Sequence, residues 1–593
     1  MSNRWIWDLE SDGLLDTISK IHCIVLRNVE TDEVQKYGPD EEEIKAAMFV
    51  LMNAEEVIGH NIICYDIPAL QKVYPGFEIL GQVTDTLVLS QLIFTQLSDK
   101  DSIKANRDPE SFPRRLIGSH SLKAWGLRLQ NLKDDYDGGW ENFSQEMLDY
   151  CVQDTSVTKS LYELAMRKGF SQQSIDLEHL MASICDRIGN NGWTFDKYKA
   201  QVFYGKLAQL RSDIEQGLDE LFEPWETVEM FIPKRNNKSL GYIEGEPFEK
   251  RKTIHFNPGS RRHIEFCLTK KYGWKPKKFT NTGHAQIDET VLGGLQYVEA
   301  QKLADFFLLQ KRIGQLAEGP QAWLKRLDDD GRIRHRIVAC GTVSGRAAHR
   351  SPNLAQVPKV GLKFGKECRE LFTVPDGWFL VGSDLSGLEL RCLAHYLKDD
   401  GVYAKQILEG DIHTYNQKAA GLATRDESKR FIYSTMYGGG DQLIGKIAGG
   451  GAKRGKELKA AFNKNIPAFA QLQNGLRSAF DKRGYIKGLD GRHLMVRSEH
   501  KLLSQLLQSA GAIICKQWVA LCDREINLNL GPDQAYIVGW IHDEIQVACK
   551  TEEVAEHVGN IATRMARETG KTLKVNLPIS AEYSVGRTWA DTH

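Results

Sequence analysis

The amino-acid sequence predicts a multidomain α/β protein. The chain has 593 residues, which is enough for about four domains at roughly 150 residues each. Strand-like and helix-like stretches alternate over residues 1–168, as they do in α/β domains, and a second strand-rich region begins near Arg332. Hydrophobic residues make up 41% of the chain and charged residues 26%, a composition typical of folded globular proteins.

The individual elements follow from local patterns, taken in chain order. Near the N-terminus, strands are predicted for RWIWDLE, IHCIVLRNV and EVIGHN, and helices for TLVLSQLIF and SQEMLDYCVQDTSVTKSLYELAM. Helical patterns continue from about Ser171 until a polar, basic segment, Thr227 to Lys252, interrupts them. Residues 401–500 are predicted to be mostly helical with glycine breaks, and the last stretch returns to helix and then to strands around Trp540.

Charge and cysteine content narrow the class of protein. The net charge of −1 neither favours nor excludes nucleic acid, because acidic metal sites can offset basic grooves. The eleven cysteines are dispersed without zinc-binding spacing, which indicates reduced intracellular thiols. The sequence begins without a secretory signal, and no apolar run reaches the ~18 residues that span a bilayer. We therefore expect a soluble cytoplasmic protein with no membrane partner.

Carboxylates near the N-terminus form the first candidate site. Asp8 and Glu10 lie two residues apart in a predicted strand, so their side chains share one face. Taken alone, this pair is more typical of an exposed strand end. Asn61 and Asp66 follow a strand-like run, however, and Tyr150 and Asp154 lie four apart on a predicted helix. Four acids could bind two divalent ions ~3.5–4 Å apart, with the tyrosine orienting an attacking water.

A second acidic group lies inside an apolar run near the C-terminus. In GWIHDEIQVAC, Asp543 and Glu544 interrupt what otherwise reads as a buried strand, so a cation is expected to offset their charge. Asp384 ends another apolar strand and could be read as a helix N-cap. Placed beside Asp543, it would instead complete a two-metal site suited to phosphoryl transfer.

A stripe of cations and aromatics separates these acids in the sequence. Arg425, Lys429, Tyr433 and Tyr437 recur at every fourth position, so they form one slowly turning stripe on a predicted helix. The stripe fits a nucleoside triphosphate, with phosphates on the cations and base and sugar on the tyrosines. An amphipathic helix with a solvated charged edge is the alternative interpretation.

These motifs resemble two known sequence signatures. Asp8-x-Glu10, Asn61-x-x-x-Tyr65-Asp66 and Tyr150-x-x-x-Asp154 are similar to the three motifs of the DEDD-type 3′-to-5′ exonucleases, tyrosine subclass. The run Asp384 to Glu389 with Arg391, the helical stripe continued by Gly438, and His542-Asp543-Glu544 resemble motifs A, B and C of the family A (polymerase I-like) DNA polymerases. Within that family, GLELRCLAH, GDIHT, LLQSAGAIICK, HDEIQV, KRIGQLAEG and PNLAQVP are most similar to the replicative enzymes of bacteriophage T-seven and its relatives.

The resemblance covers essentially the whole chain and implies its domain organisation. It implies an RNase H-like exonuclease domain followed by a right-hand polymerase. The implied limits are 1–170 for the exonuclease, 171–326 for the thumb and connecting helices, 327–400 and 504–593 for the two parts of the palm, and 401–503 for the fingers.

The resemblance also implies a role for each candidate residue. Asp384 and Asp543, with Leu385 as a further ligand, would hold two Mg²⁺ ions, for which Mn²⁺ could substitute. Glu544 would support the primer end, and Glu389 would close the sugar pocket against a 2′-hydroxyl. The remaining nucleotide-binding residues would be His413, Arg425, Lys429, Tyr433 and Tyr437. The DNA-binding residues would be Arg346, Gln508, His542 and Lys311. Asp8, Glu10, Asp66 and Asp154 would hold the exonuclease metal ions, with Tyr150 catalytic beside them.

The implied activity is template-directed DNA synthesis with 3′-to-5′ proofreading, in the host cytoplasm if the chain is encoded by a phage. Primer–template DNA and deoxynucleoside triphosphates are the implied partners. A separate helicase-primase is expected, since no Walker A sequence occurs. The segment 229–255 is basic but shorter than the insertion with which relatives recruit thioredoxin, so we do not expect a thioredoxin clamp. The segment is predicted to bind duplex phosphates directly or to be a plain solvated loop.

Two alternatives belong to other functional classes. A single-subunit RNA polymerase would share the palm, but Glu389 and the exonuclease acids have no role in transcription. A non-catalytic DNA-binding subunit descended from a polymerase would be expected to lose some carboxylates, yet every expected acid is present. The sequence therefore favours a DNA polymerase.

Overall fold

The computed structural model describes residues 3–108, 110, 112–132, 136–280 and 283–592. The chain divides into two compact units. The larger unit comprises the chain up to Trp193 together with Arg334 onward, and the smaller unit comprises Thr194–Ile333. The helix after residue 171, assigned from sequence to the thumb and connecting helices, thus belongs to the larger unit.

The N-terminal part of the larger unit is an α/β sandwich, as the alternating pattern predicts. Its strands are β1 (Arg4–Ser11), β2 (Ile21–Asn28), β3 (Val34–Tyr37), β4 (Glu56–Gly59) and β5 (Gln82–Asp85). Its helices are α1 (Glu41–Met52), α2 (Asp66–Val73), α3 (Thr86–Ile93), α4 (Leu97–Arg107), α5 (Leu122–Leu129), α6 (Gln145–Met166) and α7 (Gln172–Asn191). The sheet order is β3-β2-β1-β4-β5, with β1 antiparallel to β2 and parallel to β4.

Alternation along β1 decides which residues face which helices. Trp5, Trp7 and Leu9 are buried against α1 and α2 on one face of the sheet. Ile6 is buried on the opposite face, in a cluster with residues of α3 and α6. Because strand side chains alternate, Asp8 and Glu10 share the face of Ile6. The fold thereby turns both acids towards α6.

The smaller unit is mainly helical. Its elements are β6 (Trp193–Phe195) at the boundary, α8 (Lys197–Asp219), β7 (Trp225–Phe231), β8 (Phe248–Ile254), α9 (Arg261–Tyr272), α10 (Glu289–Gly293), α11 (Val298–Ile313) and β9 (Arg332–Ile333). The segment 229–255 is not a plain loop: β7 and β8 pair over their whole length as an antiparallel hairpin. Its strand residues are mostly exposed, which explains why no buried-strand pattern marked it in the sequence.

The rest of the larger unit is built on a four-stranded antiparallel sheet. The strands of this part of the chain are β10 (Arg336–Val338), β11 (Ala348–Arg350), β12 (Phe372–Thr373), β13 (Phe379–Leu385), β14 (Ile486–Lys487), β15 (His493–Leu494), β16 (Ala535–Ile541), β17 (Glu544–Cys549) and β18 (Ala581–Gly586). The main sheet has the order β16-β17-β13-β18. Val381 and Leu385 of β13 are buried in the large core, whereas Asp384 between them is exposed on the other face.

Helices surround this sheet and form the mostly helical region predicted for residues 401–500. They are α12 (Gly365–Arg369), α13 (Leu388–Tyr396), α14 (Val402–Leu408), α15 (Ile412–Ala420), α16 (Arg425–Met436), α17 (Asp441–Ile447), α18 (Ala452–Asn465), α19 (Pro467–Arg483), α20 (Leu502–Asn529) and α21 (Glu552–Thr572). Among the described residues, no helix combines the length and apolar composition needed to cross a membrane.

Candidate functional site

The His-Asp-Glu sequence forms a tight turn at one end of the main sheet. His542, with φ of 60°, and Asp543 connect β16 to β17. Asp384 on β13 lies directly opposite Glu544 on β17, and the Leu385 amide donates a hydrogen bond to the Asp543 carbonyl at 3.0 Å. Asp384 and Asp543 are therefore neighbours, although the sequence separates them widely.

The structure rules out the N-cap interpretation of Asp384. Strand β13 continues through Asp384 to Leu385, and α13 has Gly387 as its N-cap. The side chain of Leu385 is buried, so only its main chain could contribute to a metal site.

Glu544 is stabilised differently from its neighbour Asp543. Its side chain is 4% exposed, and its Oε1 accepts hydrogen bonds from Trp589 Nε1 at 2.7 Å and Gln546 Nε2 at 2.6 Å. These donors, which sequence reasoning missed, offset part of the charge of a buried carboxylate. Glu544 is thereby held in a defined orientation beside the turn.

Asp543 carries the less compensated charge. Desolvation raises the pKa of its carboxyl, and the negative charges of Glu389 and Glu544 raise it further, while His542 lowers it. A group whose ionised form is disfavoured in this way gains most from a nearby cation. A divalent ion at the turn would therefore stabilise the ionised form of Asp543.

Glu389 links the acidic turn to the helical stripe. It lies in the first turn of α13, and its Oε1 accepts a hydrogen bond from the Tyr437 hydroxyl at 3.3 Å. Arg346 also hydrogen-bonds to Tyr437. The pKa of Tyr433 is raised by desolvation and then by the charges of Glu389 and Asp543 among others. Both tyrosines of the stripe therefore face the acids.

The stripe lies on α16, which ends at Met436 with Tyr437 as its C-cap. Thr424 and Glu427 form a capping box that fixes the start of the helix. Phe431 and Ile432 are buried on the inner side, whereas Arg425 and Lys429 are exposed. The helix is therefore amphipathic, as the alternative interpretation holds, but its tyrosines point to the acidic turn.

Asp411 is a second group that sequence reasoning missed. Its carboxylate accepts two hydrogen bonds from Arg425, at 2.8 and 3.2 Å, and one from the His413 amide. The Arg425 guanidinium accordingly lowers the pKa of Asp411. Burial lowers the pKa of His413, and the charges of Arg425 and Lys429 contribute. The three predicted phosphate ligands thus form one cluster, with Asp411 as counter-ion.

Three of the predicted DNA-binding residues belong to this region. Arg346 lies in the loop between β10 and β11, where its amide donates to Thr342 Oγ1 at 3.0 Å. Gln508 lies on α20 and donates to Ser504 Oγ at 3.0 Å. His542 is at the turn, where burial lowers its pKa and the charge of Arg346 lowers it further. Lys311 is exposed on α11 of the smaller unit.

The N-terminal acids form a separate cluster. Ligand atoms of Asp8, Glu10 and Cys151 lie within 4.8 Å of one another. Cys151 was not singled out from the sequence, because dispersed cysteines carry no metal-binding signature. Burial raises its pKa, and a hydrogen bond with Cys23 and the charge of Asp8 raise it further. Its thiol is therefore protonated, and the two carboxylates are the ligands that fit a hard cation.

Asp66 and Asp154, which lie outside that 4.8 Å group, interact with each other beside β1. Asp66, 4% exposed at the start of α2, accepts a hydrogen bond from the Leu9 amide of β1. Burial, then the charge of Asp85 and that of Asp154, raise the pKa of Asp66 to about 8. Such a concentration of buried acids is a signature of a cation site. Asp85, which no sequence pattern marked, is buried and accepts hydrogen bonds from the main-chain N–H groups of Asn61, Ile63 and Leu87.

Tyr150 lies one helical turn before Asp154 on α6. Its ring contacts those of Tyr136 and Trp140, with centroid distances of 5.8 and 6.2 Å. Asp154 is buried, whereas Tyr150 is only partly buried. The helix thus places both residues on one side, with the tyrosine partly open to solvent.

The chain is similar to known DNA polymerases over nearly its whole length. Residues 232–591 match the profile of DNA polymerase family A. The chain is 36% identical to the DNA-directed DNA polymerases of Enterobacteria phage T3 and Escherichia phage T7, each over 706 aligned residues covering 99% of both chains. DNA polymerase I of Aquifex aeolicus is 25% identical over 94% of this chain and 92% of its own.

Among solved structures, the POL domain of Pol1 from M. smegmatis, in complex with DNA primer-template and dNTP, shares the fold. The TM-score is 0.72 and the alignment covers 100% of this chain and 97% of that one. Because the sequence identity is 15%, this likeness shows the fold alone.

Proposed function

Because the chain belongs to family A of the DNA polymerases, we propose that it extends a primer along a DNA template and removes mispaired 3′ ends at a second site. The observation that supports primer extension is the closeness of Asp384 and Asp543 at one end of the main sheet. Asp384 near the end of β13 and Asp543 in the β16–β17 turn are neighbours along the main chain there, and the tyrosines of α16 face them. This arrangement suits nucleotidyl transfer by the two-metal mechanism.

In the polymerase site, Asp384 and Asp543 would hold two Mg²⁺ ions, with the main chain of Leu385 nearby. Ions held by these residues would supply a lower pKa for the attacking 3′-hydroxyl and positive charge against the phosphates. Glu544, fixed by Trp589 and Gln546, positions the primer end. Glu389, held by Tyr437, occupies the side of the pocket where a ribose 2′-hydroxyl would lie.

The incoming triphosphate would be bound by the cluster on α15 and α16. Arg425 now pairs with the exposed carboxylate of Asp411, and a triphosphate would compete for the same guanidinium. Lys429 and His413 flank it and would bind further phosphate oxygens. We further propose an exonuclease domain over 1–170, a thumb with connecting helices over 171–326, a palm over 327–400 and 504–593, and fingers that include α16 over 401–503.

The exonuclease site would hold two further ions on Asp8, Glu10, Asp66 and Asp154. In this proposal Tyr150 orients the water that attacks the terminal phosphodiester. The raised pKa of Asp66 supports the assignment, because a cation would restore its ionised form. The site lies on the N-terminal sheet, apart from the turn that carries Asp543.

Primer extension with either deoxy- or ribonucleoside triphosphates tests the polymerase assignment. The protein is expected to add deoxynucleotides complementary to the template and to discriminate strongly against ribonucleotides. Efficient extension with ribonucleotides alone would favour an RNA polymerase and remove the role of Glu389. No extension with either set would leave a nuclease with an inactive palm.

Tyr433 is predicted to determine how well dideoxynucleotides are used. Its hydroxyl lies on the acid-facing side of α16 and can replace a contact that a 3′-hydroxyl would make. We expect Tyr433→Phe to lower the kcat/KM ratio of dideoxy- to deoxynucleotide by about tenfold or more, since a hydrogen bond to a charged group is worth ~1.5–3 kcal/mol. Tyr415→Phe on α15 is the matched control. An unchanged ratio in the Tyr433 variant would refute this role.

The β7–β8 hairpin is proposed to contact duplex DNA phosphates. Lys250, Arg251 and Lys252 follow one another on β8, so their side chains alternate between its faces. Lys250 Nζ lies 3.6 Å from the centroid of the Phe231 ring, while Arg251 and Lys252 are exposed. The two exposed residues are therefore the stronger candidates for phosphate contacts.

Replacing Lys250, Arg251 and Lys252 by Ala is expected to reduce processivity. The processivity that remains should vary less with salt concentration. Each lost contact with duplex DNA should reduce the slope of log K against log [salt] by about 0.9. The measurement is the length of product made in a single binding event at several salt concentrations. The charge-preserving variant K250R/R251K/K252R should behave like the parent protein. Equal processivity of the triple Ala variant would identify the hairpin as a solvated element.

A further inference from the structure

A groove in the larger unit joins the neighbourhood of the exonuclease acids to the loop that carries Arg346. It consists of two adjoining cavities of about 370 and 780 Å³. Both are lined by Asn61, Gln91 and Arg336. The cavities meet at Asn61, whose main-chain N–H donates to Asp85, the carboxylate whose charge raises the pKa of Asp66. The larger cavity extends to Thr342, which accepts a hydrogen bond from the main-chain N–H of Arg346.

The wall of the larger cavity is cationic. Arg336, Arg350 and Arg497 line it, and no carboxylate does so among the described lining residues. His120, opposite, has a pKa lowered to about 4 by burial and the charge of Arg128, with a contribution from Arg350. The rest of the polar lining is His60 together with uncharged side chains such as those of Asn61, Gln91 and Thr95.

Nearby acids compensate this charge unevenly. Arg497 is paired with Asp99 at 2.8 Å. Asp186, which lines the smaller cavity, has a pKa raised by desolvation, and the charge of Arg336 acts against that rise. Asp85 and Glu178 also line the smaller cavity. The surplus of positive charge is therefore confined to the larger cavity.

The β10–β11 hairpin places two arginines side by side on this wall. Arg336 and Arg350 are exposed and directly opposite each other in the antiparallel ladder. Like charges in this position repel and destabilise a hairpin, unless an anion lies against them. Arg350 is four positions after Arg346 along the chain, which is roughly 13 Å of extended strand. One short hairpin therefore carries cations from the predicted primer-binding loop into the groove.

We infer that Arg336 and Arg350 form a binding site for the phosphates of single-stranded DNA. The groove would bind an unpaired 3′ strand whose end reaches the acids near Asn61. Uncharged donors along the wall suit contacts that do not depend on base sequence. This inference rests on the proposed proofreading activity.

The test compares the double variant R336A/R350A with the parent protein. Binding of a fluorescent single-stranded oligonucleotide is measured by anisotropy in EDTA, which stops hydrolysis, at several NaCl concentrations. We expect the affinity to fall about tenfold at low salt and the slope of log K against log [salt] to fall by about 1.4, since each single-strand contact contributes about 0.7. Extension of a correctly paired primer should be unchanged.

Two controls separate a binding site from a general loss of charge or of folding. R524A/R567A removes two exposed arginines of the same unit outside the groove and should bind like the parent. R336K/R350K keeps both charges and should retain most of the affinity. An R336A/R350A protein with parental affinity and salt slope would overturn the inference. Failure of the parent to degrade a single strand in Mg²⁺ would instead refute proofreading, because the binding assay needs no hydrolysis.

Discussion

Asp543→Asn is expected to abolish nucleotide addition while leaving 3′-end hydrolysis intact. Asp543 lies in the turn next to the strand end that carries Asp384, and asparagine keeps the shape of its side chain but not the charge. Loss of a ligand that stabilises transition-state charge by several kcal/mol lowers the rate by about a thousandfold or more. Single-turnover incorporation on a primer–template measures the effect.

The melting temperature of the Asp543→Asn variant distinguishes a loss of catalysis from unfolding. The pKa of Asp543 is raised in the folded protein, so its ionised form opposes folding at neutral pH. That opposition is present above the pKa in the folded state and disappears as the carboxyl protonates at lower pH. Asparagine removes it, so the variant should melt at the same temperature as the parent or higher. Asp533→Asn, an exposed residue just before β16, is the control and should remain active. Full incorporation by the Asp543 variant would contradict the assignment.

The reciprocal variant, Asp8→Ala with Glu10→Ala, is expected to lose exonuclease activity and retain synthesis. Both acids face α6 from β1 and belong to the cluster with Cys151. Removing two ligands from one metal site should lower hydrolysis of a single strand by about a thousandfold or more. Time courses of single-strand hydrolysis and of primer extension measure the two activities separately.

A pair of exposed acids in the same part of the chain provides the control. Asp16→Ala with Glu33→Ala removes equal charge outside the cluster and should change neither activity. If the Asp8 and Glu10 variant lost extension as fully as hydrolysis, the two-site account would be wrong.

Local pattern was sufficient to predict much of this architecture. The alternation in β1 placed Asp8 and Glu10 on one face, and the four-residue spacing placed Tyr150 and Asp154 on one side of α6. The stripe from Arg425 to Tyr433 likewise lies on a single helix. In each case one element holds all the residues, so its own periodicity determines their relation.

Features that depend on tertiary contacts were not predictable in this way. In the sequence Asp411 is indistinguishable from other exposed acids, because its pairing with Arg425 is a tertiary contact. The effect of Asp85 on Asp66 likewise depends on the fold. The helix N-cap interpretation of Asp384 was wrong because pairing with β17 and β18 extends the strand past it. The exposed β7–β8 hairpin has no buried face to produce a periodic signal. Arg336 and Arg350 become neighbours only when their strands pair.

One gel tests the central claim that a single chain holds two separate acidic sites, one for synthesis and one for hydrolysis. A 5′-labelled primer annealed to a longer template is incubated with the protein and Mg²⁺, with and without the four deoxynucleoside triphosphates. The account predicts that the primer lengthens to the template end with nucleotides and shortens stepwise without them. Shortening under both conditions would contradict the assignment of Asp384 and Asp543, and a primer that never shortens would contradict that of Asp8 and Glu10.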